Sequence, residues 1–92
     1  MRYKTAKGFE FKDVAGDFIL IPRGASTIDQ NCVMVFNEAG ALIYNAMNDY
    51  ISAEELAQLL VDKYSIGFDE ALADTNEYIE KMLENKVIEQ EN

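Results

Sequence analysis

Residues 32–38 read Cys32-Val33-Met34-Val35-Phe36-Asn37-Glu38, and here the chain changes its period. The first five are apolar without a break, so they predict a strand. A strand apolar on both faces is expected where both sides of its sheet are covered. Asn37 is then a good N-cap, and Glu38 in the first turn suits a helix dipole. Ala39, Leu42, Ile43, Ala46 and Met47 follow at helical spacing, which predicts a helix over about 38–48 that Asn48-Asp49 ends.

Upstream of this switch the chain reads as a hairpin. Phe9-Glu10-Phe11-Lys12 alternates apolar and polar, Ala15-Gly16-Asp17 is a turn signal, and Phe18-Ile19-Leu20-Ile21 runs until Pro22. A polar loop without periodicity reaches from Pro22 to about Asn31. Downstream, Ser52 and Glu55 form a capping box, and Ile51 with Leu56 a hydrophobic staple. They open a helix over about 53–65 whose inner face is Leu56, Leu59, Leu60 and Tyr64. Gly67 stands where a left-handed C-terminal residue is wanted. A third helix covers about 68–85, with Phe68, Leu72, Ile79, Met82 and Leu83 as its stripe and Thr75, Asn76 and Tyr78 alongside. Asn85 is suited to a positive φ that ends it, and Val87-Ile88 is expected to tuck back onto the core. The predicted order is β-β-β-α-α-α. This is an α+β, winged helix-turn-helix-like fold: a three-stranded antiparallel sheet followed by three helices. It forms one domain over 1–92, with the hairpin and third strand at about 9–36.

Ninety-two residues leave no room for a second core, and 49% hydrophobic content is a globular composition. No apolar run approaches the roughly 20 residues needed to span a bilayer. Met1-Arg2-Tyr3-Lys4 has no apolar core behind it, so no secretory signal is expected. A single cysteine with four methionines suits a reducing cytosol, so the expected location is cytoplasmic. The net charge of -9 lies in one half. Residues 1–48 balance five basic against five acidic side chains, whereas residues 49–92 set twelve acids against Lys63, Lys81 and Lys86. Nucleic-acid binding draws on cations that displace counterions, so the acidic half is excluded as a phosphate-binding face. Most of these acids are the solvated faces of helices.

Catalytic signals are absent. With no histidine in the chain, the commonest general base and metal ligand are missing. Cys32 lies in an apolar strand with no cationic or histidine neighbour to make a thiolate, and reads as a small strand residue. Glu54-Glu55 and Asp69-Glu70 stand in first turns of helices, where acids are expected for capping and dipole reasons. No calcium-loop pattern, glycine-rich phosphate loop or Cys/His metal spacing occurs. No catalytic residue, metal or cofactor is expected, and the chain reads as a binding module.

The informative feature is the third strand. As the outer strand of a three-stranded sheet it leaves a row of N–H and C=O groups unpaired, with no charge or proline to guard it. A third helix packed beside it makes an apolar trough to which a peptide can add as a further strand. The alternatives are a central strand, or one masked by the N-terminal segment or a dimer mate. Ordering a peptide backbone costs about 1–2 kcal/mol per residue, and each ladder hydrogen bond returns roughly 0.5–1.5 kcal/mol, so the two nearly cancel. Affinity must then come from apolar side chains in pockets at about 25 cal/mol per Å2.

One ordered set of residues resembles a known family. The set runs through Phe36-Asn37-Glu38, Gly40, Ile43-Tyr44, Ser52-Ala53-Glu54-Glu55-Leu56, Tyr64, Asp74, Tyr78-Ile79, Met82-Leu83 and Val87-Ile88. With the hairpin it covers roughly 9–89, and it resembles the PqqD family, the coenzyme PQQ synthesis protein D group, also known as the RiPP recognition element. The resemblance implies a peptide chaperone that binds the leader of a ribosomally made precursor peptide and presents it to a radical S-adenosylmethionine maturase. It implies that the leader adds to the third strand and packs on the third helix. Carried onto this chain, the binding positions are Cys32, Val33, Met34 and Val35 on the strand and Thr75, Tyr78, Ile79 and Met82 on the helix. Glutamate at Ile79 or Met82 is expected to abolish leader binding by placing an unpaired charge in the groove. Three departures leave the pathway open, PQQ or another modified peptide. Asn48-Asp49-Tyr50 replaces the family's usual Asp-Gly, Asn85-Lys86 its usual Gly, and the loop from Pro22 is longer.

Two other classes compete. A winged-helix DNA-binding regulator would use the third helix, but that helix carries Asp69, Glu70, Asp74, Glu77, Glu80 and Glu84 against Lys81 alone. A small structural subunit would dimerise through the edge strand. The expected partners are the leader peptide and the maturase, with no nucleic acid and no membrane, and the chain a monomer or weak homodimer.

Overall fold

The hairpin forms as its alternation requires. In the computed structural model, which describes residues 1–24 and 33–91, β1 (Arg2–Thr5) precedes the hairpin strands β2 (Phe9–Val14) and β3 (Asp17–Pro22). β2 and β3 pair antiparallel from Phe9 opposite Pro22 to Val14 opposite Asp17. The two-residue turn puts Ala15 at φ 54 and Gly16 at φ 89, the left-handed geometry that such hairpins need. Alanine tolerates it at a cost of about 1–2 kcal/mol, and the Gly16 N–H donates to Asp13 Oδ1 at 3.2 Å.

The predicted third strand is β4 (Met34–Phe36), antiparallel to β3 with Phe18 opposite Phe36 and Leu20 opposite Met34. The Val33 N–H donates to the Leu20 carbonyl at 2.8 Å and extends the pairing. Phe11, Leu20 and Met34 share one face across the sheet, as do Phe18 and Phe36. That face meets the helices through stacked rings: Phe11 lies 5.9 Å from Phe18, 6.1 Å from Phe36 and 6.2 Å from Tyr44. Lys12, Ile19 and Val35 face the other way, and Val35 is 66% exposed. β4 is therefore not covered on both faces, contrary to the reading of its unbroken apolar run.

Three helices follow: α1 (Glu38–Asn45), α2 (Ala53–Tyr64) and α3 (Phe68–Glu84). α1 starts at Asn37, whose side chain accepts the Gly40 N–H at 2.7 Å. It ends sooner than its apolar spacing suggested, because Met47 turns into the core and its carbonyl accepts the Thr5 N–H at 2.9 Å. The capping box opens α2, with the Glu55 N–H on Ser52 Oγ at 3.1 Å and the Ser52 N–H on Glu55 Oε1 at 3.4 Å. Two termini differ from expectation. Ser65, not Gly67, takes the left-handed step after α2 (φ 56), and Gly67 is the extended N-cap of α3. Asn85 keeps φ -87 and closes α3 by donating its amide to the Lys81 carbonyl at 2.9 Å; Lys86 makes the left-handed step at φ 59.

A second small sheet went unpredicted. β5 (Ile51–Ser52) and β6 (Ile88–Gln90) flank β1 in the order β5-β1-β6, with Tyr3 opposite both Ile51 and Gln90. Val87 and Ile88 are buried, so the expected return of that pair to the core is met by a strand. Arg2 grips Glu91 at 2.8 and 2.9 Å, fastening the first strand to the last. The N-terminal segment is thus committed to β5 and β6 and does not mask β4. The main core is Leu20, Ile43, Met47, Leu56, Leu60 and Met82, each at most 1% exposed.

Candidate functional site

β4 is an outer strand: β3 pairs one edge, and among the described residues no strand pairs the other. Immediately beyond it, Asn37 joins three elements. Its Oδ1 accepts the Gly40 N–H of α1 and, at 3.1 Å, the Tyr78 hydroxyl of α3. The Tyr78 ring comes so near α1 that a β-carbon on Gly40 would lie 3.3 Å from it. Glycine at position 40 thus lets α3 close on the end of β4. The end of β4, the start of α1 and the Tyr78 face of α3 converge on Asn37.

The residues expected to bind peptide separate into two groups. Val33 and Met34 are half-buried, Val35 is exposed, and Tyr78 is half-buried at the strand end. Cys32 lies outside the described residues. Thr75, Ile79 and Met82 are only 0%, 4% and 0% exposed, so they lie on the core side of α3. The Thr75 hydroxyl is buried with no hydrogen-bond partner among the described residues.

Sequence reasoning missed a cavity of about 410 Å3 that begins at Asn37, just past the end of β4. Asn37, Glu38 and Ala39 from the start of α1 line it, together with Leu60 and Tyr64 of α2, Ile66, and Asp74 of α3. Glu38, Tyr64 and Asp74 were each legible, but as a cap, a helix face and a solvated acid; only the packing of three helices joins them. The Tyr64 hydroxyl donates to Glu38 Oε1 at 3.0 Å, and Lys63 Nζ stands 3.6 Å from the same oxygen. Desolvation, then this carboxylate, raises the Tyr64 hydroxyl above its ordinary pKa. Among the described residues no group of three or more His, Cys, Asp or Glu side chains converges as a metal site. No described helix is long and apolar enough to cross a membrane.

The fold is α+β, with β4 the outer strand of its sheet among the described residues and α3 close to its end. The family model for coenzyme PQQ synthesis protein D (PqqD) matches residues 19–88, and the chain belongs to that family. A solved structure described as TbiB1 in complex with the TbiA(beta) leader peptide shares the fold. Its TM-score is 0.74 at 11% sequence identity, over 97% of this chain and 98% of that one. No curated protein matches the sequence.

Proposed function

We propose that this chain is a non-enzymatic peptide chaperone. It binds the leader of a ribosomally made precursor peptide by strand addition to β4 and presents it to a radical S-adenosylmethionine maturase. The pathway is PQQ or related modified-peptide biosynthesis in the cytoplasm, and the whole chain acts as the binding domain. The observation that carries this reading is the 66% exposure of Val35 on β4, the outer strand of its sheet among the described residues, close to α3. Membership of the PqqD family supports it, as does the likeness to a protein solved with a leader peptide bound. The six acids of α3 against Lys81 disfavour DNA as the guest.

The test is calorimetric titration with the leader of a short peptide encoded beside a radical maturase in the same genome. Val35 stands free of the core, so Val35→Asp should leave the circular dichroism spectrum unchanged. It removes most of the burial that a guest strand gives this valine, about 1 kcal/mol, and leader binding should weaken about fivefold. A folded Val35→Asp protein that binds the leader as tightly as the parent overturns strand addition at β4.

A further inference from the structure

We propose that the cavity beside Asn37 receives a lysine or arginine side chain of the guest peptide; this rests on the peptide-binding reading above. Its volume of about 410 Å3 lies within the range of small-ligand sites, roughly 300–1,000 Å3. The lining divides by chemistry. Most of the accessible wall is apolar, with Ala39, Leu60 and Ile66 among the lining residues, and the carboxylates of Glu38 and Asp74 contribute only a small polar part. A long side chain with an apolar stem and a cationic head matches both parts, because lysine and arginine lay their methylenes on apolar surface and keep the charge at a polar rim. A wholly aliphatic side chain would fill the apolar wall but leave the Asp74 carboxylate without a partner. An acidic one would be repelled.

The two carboxylates are not equivalent. Glu38 is held by Tyr64 and faces Lys63. Asp74 makes neither a hydrogen bond nor an ion pair among the described residues, so an incoming cation meets it without displacing a partner. Position then selects the guest residue. Asn37 lines the cavity and directly follows β4, where it holds Tyr78. A strand added along β4 therefore delivers to the cavity the side chain that falls beside Asn37.

The cavity can be probed without any leader. Isotope-labelled protein is titrated with N-acetyl-lysine methylamide, its norleucine analogue and its glutamate analogue, and the amide signals of Ala39, Leu60, Ile66 and Asp74 are followed by NMR. The lysine probe should give saturable shifts there. The norleucine probe should bind about two- to fivefold more weakly, the range of a partly exposed ion pair. Asp74→Asn should weaken the lysine probe by the same factor and leave the norleucine probe alone, while Asp74→Lys should admit the glutamate probe. Lysine and norleucine binding equally, or no shifts at these amides, overturns the assignment. Leader binding that persists without probe shifts overturns the cavity assignment alone. Probe shifts in a protein that binds no leader overturn the peptide reading.

Discussion

Substituting Gly40 by alanine should destabilise the protein even though alanine is the better helix former. In an open helix the change gains about 0.5–1 kcal/mol. Here the new β-carbon would lie 3.2 Å from Asn37 Oδ1, 3.3 Å from Tyr78 Cε1 and 3.4 Å from Phe36 Cδ1. The first two must retreat by a few tenths of an ångström, and they are tied to each other by the Tyr78–Asn37 hydrogen bond. Retreat of Asn37 weakens the α1 cap, worth about 1 kcal/mol, and retreat of Tyr78 weakens a bond worth about 0.5–1.5 kcal/mol. The losses exceed the gain by about 1 kcal/mol, a fall in Tm of roughly 4–8 °C for a domain of this size. Urea and thermal unfolding followed by circular dichroism read this directly. The penalty should shrink in a Tyr78→Ala background, where one tight contact is gone. A Gly40→Ala protein more stable than the parent would refute the claim that glycine is there to let α3 close on β4.

Two further outcomes follow from burial and charge. Met82→Ala should cost about 2–5 kcal/mol, a large part of the roughly 5–15 kcal/mol available to a domain, and Ile79→Glu should unfold it; a cooperative, native-like melt for Ile79→Glu would contradict the core placement. The hydrogen bond from Arg2 holds the Glu91 carboxyl below its usual pKa, so its contribution is present at neutral pH and is lost as pH falls through the folded value. The Tm gap between the parent and Glu91→Gln should accordingly be open at neutral pH and close in strong acid, and a gap independent of pH would count against the clasp.

The elements legible in the sequence were those with a period or a cap long enough to register. Alternation over Phe9–Lys12 and Phe18–Ile21, and the Ser52–Glu55 box, each commit several residues to one geometry. The second sheet escaped because its strands hold only four, two and three residues, and β5 is overlaid on the capping signal of α2. The two helix ends were misplaced by one or two residues because Ser65 and Lys86 accept a left-handed conformation whose modest cost the surrounding packing outweighs. The site was only partly legible for a deeper reason. A stripe of Thr75, Ile79 and Met82 is what a core face looks like, and a groove face is built from the same residue types. Burial alone separates them, as it separates exposed Val35 from buried Phe36 one position later. The consequence is practical: glutamate at Ile79 or Met82 reports on folding, so strand addition is tested at Val35, on the outer face of β4, and the α3 side at Tyr78.

The shortness of β4 says where affinity has to come from. Its regular pairing spans Met34–Phe36, extended by Val33, so a guest strand finds only a few ladder positions. At roughly 0.5–1.5 kcal/mol per hydrogen bond against about 1–2 kcal/mol of backbone order per residue, that ladder sets register and direction and leaves almost no net binding energy. Micromolar affinity, about 8 kcal/mol, therefore requires anchors beyond the strand. The fold offers two within reach of its end: the half-buried face around Tyr78, and the cavity between Leu60, Ile66 and Asp74. A guest that matched only the strand would bind and release quickly. One that also reached past Asn37 would be held, so discrimination among peptides should fall on the residues beyond the ladder.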